Sequence, residues 1–223
     1  MSPPPPATSM GCAMFSVIRL IHSAQGADTD ALIADLRVTA DASAATRTLI
    51  EPTLPGVRNG GDILLHLRFA RPEDWVDDAA RFAAALETSA VSHVDGAEYH
   101  GAAARTDTGL PATVYRTLLL RVAPGTDAAT VERFEADLRL MPRYVRTITA
   151  WQLSRVGNAS GAAPWTHVFE QQFTDIDGLM GPYLLHPIHW AYVDRWFDPE
   201  CPDVIVRDRV CHSFCRCEAP ILT

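Results

Sequence analysis

Apolar and polar positions run through the same succession of blocks twice. Met14–His22 (MFSVIRLIH) and Val114–Val122 (VYRTLLLRV) are apolar, β-branched runs of strand length. Each is followed by a polar turn, GADTD or PGTDAAT, whose Asp and Thr side chains can accept from the free N–H groups of a helix start. Helical spacing comes next: Leu32, Leu36 and Ala40 in the first half, and Val131, Phe134, Leu138 and Met141 in the second, with an end near Pro142. Strand-like runs return at Thr48–Leu54 and Thr147–Val156. Gly-rich breaks follow, RNGGD and VGNASGAAP, and then the apolar runs Ile63–Phe69 and Trp165–Phe173. Each of these leads into an acidic helix start, ARPEDW or TDIDGL. A last strand closes each half, at Ser92–Tyr99 and Ile205–Phe214.

The order is β-α-β-β-α-β, twice. His66 and His167 lie 101 positions apart and the first strands 100 apart, so a duplication is the economical reading. This predicts an α+β chain of two ferredoxin-like modules, each an antiparallel sheet with helices on one face. The bare faces must be covered, and packing sheet to sheet within one chain covers both. The expected boundaries are a disordered Pro-rich tail at 1–12, a first module at 13–101, a linker at 102–112, a second module at 113–217 and a tail at 218–223.

Charge narrows the partners. The formal net charge is −8 and all nineteen basic residues are Arg. A basic footprint for nucleic acid is missing, and so is any Lys for a Schiff base or a P-loop. No apolar run reaches the ~20 residues that cross a bilayer, and the first ten residues lack the pattern of a signal peptide. Five Cys, mostly near the C-terminus, do not form a secreted disulfide framework, so a cytoplasmic location is expected.

The most distinctive stretch is Thr166–Trp190, THVFEQQFTDIDGLMGPYLLHPIHW. A Thr-His strand, an acidic helix start and Tyr-x-x-His-Pro-x-His resemble the stress-responsive A/B barrel (Dabb) family of the dimeric α/β-barrel superfamily, and within it the cofactor-independent polyketide cyclases. The resemblance implies an intramolecular α/β barrel. It implies Tyr183 and His189 as a catalytic pair and His167 as a pocket residue, with no cofactor. His can take and return a proton at neutral pH, and a Tyr hydroxyl can donate to a developing oxyanion. Cyclisation or a lyase step on a small apolar or aromatic molecule is the activity expected. His186, Trp165, Phe169, Trp190 and Trp196 are candidates for the substrate wall.

In a straight helix, six residues turn Tyr183 and His189 through roughly 240°, onto different faces. Pro187 could kink the chain and return His189 to the sheet, with His186 hydrogen-bonding the backbone at the kink. Where the motif would fall in the first half the chain reads RFAAALETSAV, Arg81–Val91, so the pocket should be single. Two other readings stand beside the enzyme. One is a non-catalytic ligand-binding module. The other is a metal- or haem-dependent redox protein using His186 and His189 or the thiols of Cys211, Cys215 and Cys217, which share one face of an extended segment. Buried inert Cys is the commoner outcome for such thiols. Either a monomer or a homodimer fits a tandem chain.

Overall fold

The computed structural model describes residues 8–106 and 109–222. Eight strands form one antiparallel sheet: β1 (Thr8–Ser23), β2 (Arg47–Pro52), β3 (Ile63–Phe69), β4 (Val91–Thr106), β5 (Val114–Leu120), β6 (Ile148–Ser160), β7 (His167–Phe173) and β8 (Cys211–Arg216). Their order is β2-β3-β1-β4-β6-β7-β5-β8. Each half therefore has the ferredoxin-like order 2-3-1-4, and β4 of the first half pairs with β6, the second strand of the other.

The remaining edges meet. β8 reaches the chain after β2 through the bridges Thr53↔Cys215 and Arg58↔His212, with Leu54 N–H donating to Phe214 O at 3.0 Å and His212 N–H to Arg58 O at 2.8 Å. The sheet thus closes nearly completely into a barrel, and the two outer edges shield each other at this seam. Gly60 is needed at this seam, because a Cβ there would sit 2.6 Å from His212 O.

Closure covers both faces of the strands. All seven positions of β3, β5 and β7 are buried, which is why β3 and β5 read as largely apolar runs, while β7 buries four polar side chains, His167, Glu170, Gln171 and Gln172. Outside the first half, α1 (Thr29–Asp41) and α2 (Pro72–Leu86) bury Leu32, Leu36, Trp75 and Phe82 against Val17, Ile21 and Phe69. Asp28 caps α1 by accepting from Ala31 N–H, and Asp127 caps α3 (Ala128–Leu138) by accepting from Thr130 N–H. The α3 helix ends before Pro142, and the proline lies in the first turn of the short α4 (Leu140–Tyr144), where its missing N–H costs nothing.

Several expected boundaries are corrected. The tail expected to residue 12 gives way to β1 at Thr8, which pairs with Thr106. Ala102–Thr106 belong to β4 rather than to a linker, since both neighbours, β1 and β6, pair with that end of the strand. The last strand starts at Cys211. Ile205 and Val206 instead donate their N–H groups to Trp196 O and pack on the outer core. Ile221 and Leu222, expected in a tail, are buried in the barrel interior, where Leu222 N–H donates to Gln172 Oε1 at 2.7 Å. Residues 1–7 of the expected tail lie outside the described residues.

The barrel interior is polar as well as apolar. Beside Ile18, Leu20, Tyr99 and Leu119 it holds His66, Arg68, Gln152 and Glu170, all fully or almost fully buried. Tyr115 donates to Glu170 Oε1 at 2.7 Å, and His66 Nδ1 lies 3.4 Å from the same oxygen. Burial raises Glu170 above the usual carboxylate range and outweighs the pull of Arg68. The folded state therefore holds its proton more tightly than the unfolded chain, so stability falls as pH rises above the ordinary carboxylate value. Glu170→Gln should gain stability relative to the wild type as pH is raised from about 4.5 to 8. Melting curves that stay parallel across that range would contradict this assignment.

Candidate active site

The second half departs from the first where its last helix should be. After β7, Asp175 caps α5 (Ile176–Gly178) by accepting from Gly178 N–H, and a widened π-type turn follows at Leu179–Tyr183. The helix breaks over residues 184–186. A second π-type turn runs from His189 to Val193, and a tight turn from Asp194 to Trp196. His186 stands at the break, its Nδ1 accepting from Ile188 N–H at 3.2 Å. The far end is pinned to α3, where Asp137 accepts from Arg195 at 2.6 Å and from Trp196 at 2.9 Å.

The break changes the rotation between the two motif residues. Tyr183 and His189 meet edge to face with ring centroids 5.2 Å apart. Tyr183 is 1% exposed. Its ring also contacts Phe173 edge to face and lies 4.7 Å below the Arg116 guanidinium. His189 Nδ1 is 3.0 Å from Asp194 Oδ1. Burial pushes its pKa below the ordinary histidine value; Asp194 opposes that shift and Arg116 adds to it. The imidazole is therefore neutral at pH 7 and competent as a base.

Arg116, outward-facing on β5, joins the pair to the sheet. It donates through Nη1 to Tyr183 Oη at 3.0 Å and to Gln171 Oε1, and through Nε to His212 Nε2 at 2.7 Å. The last bond fixes His212 as the tautomer with an unprotonated Nε2. Burial, Arg116 and His189 together push His212 down to about 2, so it stays neutral. Because Tyr183 receives its hydrogen bond from Arg116, its own proton is free for an oxygen in the cavity.

These groups line a cavity of about 630 Å³. Leu118, Leu138, Val193, Phe197 and Val206 supply its apolar wall, and Arg58, Arg207 and Arg209 also border it. Its size suits a small molecule.

The model of the Stress responsive A/B Barrel Domain family matches residues 114–211. The second half of the chain is similar to this family over these residues. No curated protein matches the chain in sequence. Solved structures share the fold over both halves. An anthrone oxidase-like protein has a TM-score of 0.63 at 12% identity, covering 91% of this chain and 90% of its own. A proposed monooxygenase from Fusobacterium nucleatum subsp. nucleatum reaches 0.61 at 11% identity, covering 91% and 92%. A proposed chlorite dismutase reaches 0.56 at 13%, covering 91% and 94%.

Of the residues singled out in the Dabb motif, only Tyr183 and His189 line the cavity. His167 instead faces α3. Its Nε2 is 3.3 Å from Glu135 Oε1, its ring packs on Phe134, and burial lowers its pKa against the pull of Glu135. Trp165 is in the barrel interior, donating to Ser160 O, and Phe169 is in the outer core beyond the cavity wall. Trp190 is 59% exposed and Trp196 is buried against Phe134. The matched pair His66 and His167 lies on opposite faces of the sheet, His66 inside the barrel and His167 outside. His66 is the fourth residue of β3 and His167 the first of β7, an odd step along equivalent strands, so the two point to opposite faces.

Sequence reasoning missed Arg116, Gln171 and His212 as members of the site. Arg116 alone had a local signal, a charged residue within the largely apolar run VYRTLLL. Cys211 and Cys215 on β8 and Cys217 just after it do face the barrel interior together, as their spacing implied. Burial raises Cys215 well above its ordinary value, Cys211 to about 12 and Cys217 to about 11, so all three are neutral thiols. Among the described residues no cluster of three or more His, Cys, Asp and Glu side chains is arranged to hold a metal.

The Arg116–His212 bond has a stability consequence. His212→Leu leaves a buried N–H without its acceptor and should cost about 1–3 kcal/mol, whereas His212→Gln keeps an acceptor and should cost less. Chemical denaturation of the two variants measures the difference, and equal losses would show that the bond contributes nothing specific.

Proposed function

We propose that the chain is a small-molecule enzyme of cyclase or lyase type, with the cavity of its second half as the active site. The observation that carries this reading is the edge-to-face contact of Tyr183 and His189 on one cavity wall. His189, oriented by Asp194, removes a proton from carbon beside a carbonyl. Tyr183, held by Arg116, donates to the carbonyl oxygen as negative charge develops there. The enolate then attacks a second carbonyl in the same molecule or expels a leaving group, and His189 returns the proton. Each step is an internal proton or bond exchange and uses no cofactor.

The apolar wall favours a substrate with an aliphatic or aromatic body. Closure of the barrel within one chain makes the monomer sufficient for the site. No helix among the described residues is long and apolar enough to cross a membrane. A location in the cytoplasm is part of the same proposal.

Proton abstraction can be read without the natural substrate, by following hydrogen–deuterium exchange beside the carbonyl of simple ketones and keto acids in D₂O. The wild type should accelerate exchange. His189→Ala should lose on the order of 10²- to 10⁴-fold, and Tyr183→Phe on the order of 10²- to 10³-fold. The base works unprotonated and its pKa lies below 6.5, so the rate should be flat through neutral pH and fall only in acid. Undiminished exchange in a folded His189→Ala protein would remove the acid–base reading and leave a binding module.

A further inference from the structure

Arg116 is 4% exposed and has no carboxylate within ion-pair distance among the described residues. Every group it bonds is neutral: the Gln171 amide, the Tyr183 hydroxyl and the His212 imidazole. Its Nη2 makes no hydrogen bond to the protein among these residues, although Arg116 lines the cavity. A guanidinium does not lose its proton in a protein, and a buried charge without a counter-ion is costly. The first half shows how the fold treats an arginine on the same outer face of its own first strand. Arg19 lies 2.5 Å from Glu98 and stacks on Trp75. The equivalent strand of the second half has the cation and omits the carboxylate.

The surroundings carry the same sign. Arg58, Arg207 and Arg209 border the cavity with Arg116, against one acid, Asp208, which is itself engaged by Arg121 at 2.8 Å. Arg209 lies 3.6 Å from Asp95, and no ion-pair partner is found for Arg58 among the described residues. In a chain of net charge −8, four arginines against one acid thus border this cavity. A cleft lined by one sign of charge concentrates ligands of the other sign.

We propose that this cavity binds small organic carboxylates, with the free edge of the Arg116 guanidinium as the anchor and the apolar wall holding the rest of the molecule. This rests on the acid–base reading of the same cavity and names its substrate class. A carboxylate on Nη2 sits beside the Tyr183 hydroxyl that Nη1 holds, so the carbons nearest the carboxylate come to Tyr183 and His189. A keto acid fits this arrangement, its carboxylate serving as a retained handle while the carbon beside its carbonyl reacts.

The test is calorimetric titration of the full chain with octanoate, octanol and octylamine, which share one tail and differ in charge. Octanoate should bind about 10- to 100-fold more tightly than octanol, as a charge-assisted hydrogen bond predicts, and octylamine least. Arg116→Met should abolish that preference. Arg133→Met, which removes an exposed arginine of α3 outside the cavity, should keep it. Octanol binding as tightly as octanoate, no binding by any of the three, or a preference that survives Arg116→Met would each overturn the proposal. If Arg116→Met does not fold, the wild-type ranking decides, together with Arg116→Lys, which keeps the charge and should keep a weakened preference. A wild type that selects octanoate but exchanges no protons would sink the acid–base reading alone. One that exchanges protons in neutral ketones and ignores ligand charge would sink the carboxylate anchor alone.

Discussion

The structure depends on closing eight strands into one barrel within one chain. Once β8 bonds the segment after β2, the barrel is nearly closed and most strands must be accommodated on both faces. A polar residue on such a strand then has two places to go: the interior, or the layer between sheet and helices. Glu170, His66 and Arg68 take the first. Arg116, Gln171 and His212 take the second. The ladder between β5 and β8 brings Arg116 against His212 across a 2.7 Å hydrogen bond.

What differs between the halves is the cover on the outer face. The first half lays a regular fifteen-residue helix, α2, over its sheet and fills the space with Trp75 and Phe82. The second half replaces that helix with two widened turns around a break at residues 184–186. π-Type turns are rare and concentrate at functional sites, because they put side chains where a regular helix cannot. Here they set Tyr183 and His189 side by side and leave the cavity open beside them.

Much of this was legible in the sequence. Strand and helix alternation, the duplication and the capping aspartates Asp28 and Asp127 follow from local patterns, and so does the inward direction shared by the three thiols on and just after β8. The Dabb motif pointed to Tyr183 and His189, and the difficulty of six helical steps already required a broken helix. Other features depend on contacts that no local pattern records. The face of His167 turned on where it stands in its strand, first in β7 against fourth for His66 in β3. The extents of β1 and β4 were set by pairing partners on either side. Arg116 stood in a strand that read as apolar, and its importance comes from the absence of an acid near it in space, which a linear pattern does not show.

His189 shares a cavity with the Arg116 cation, whose charge helps to hold the imidazole neutral. Proton NMR titration of the His189 imidazole in the wild type and in Arg116→Gln reads this directly. Burial and Arg116 both depress the wild-type value, so removing the cation should raise it. A His189 that titrates identically in the two proteins would contradict the shared cavity, and with it the account of how the site works.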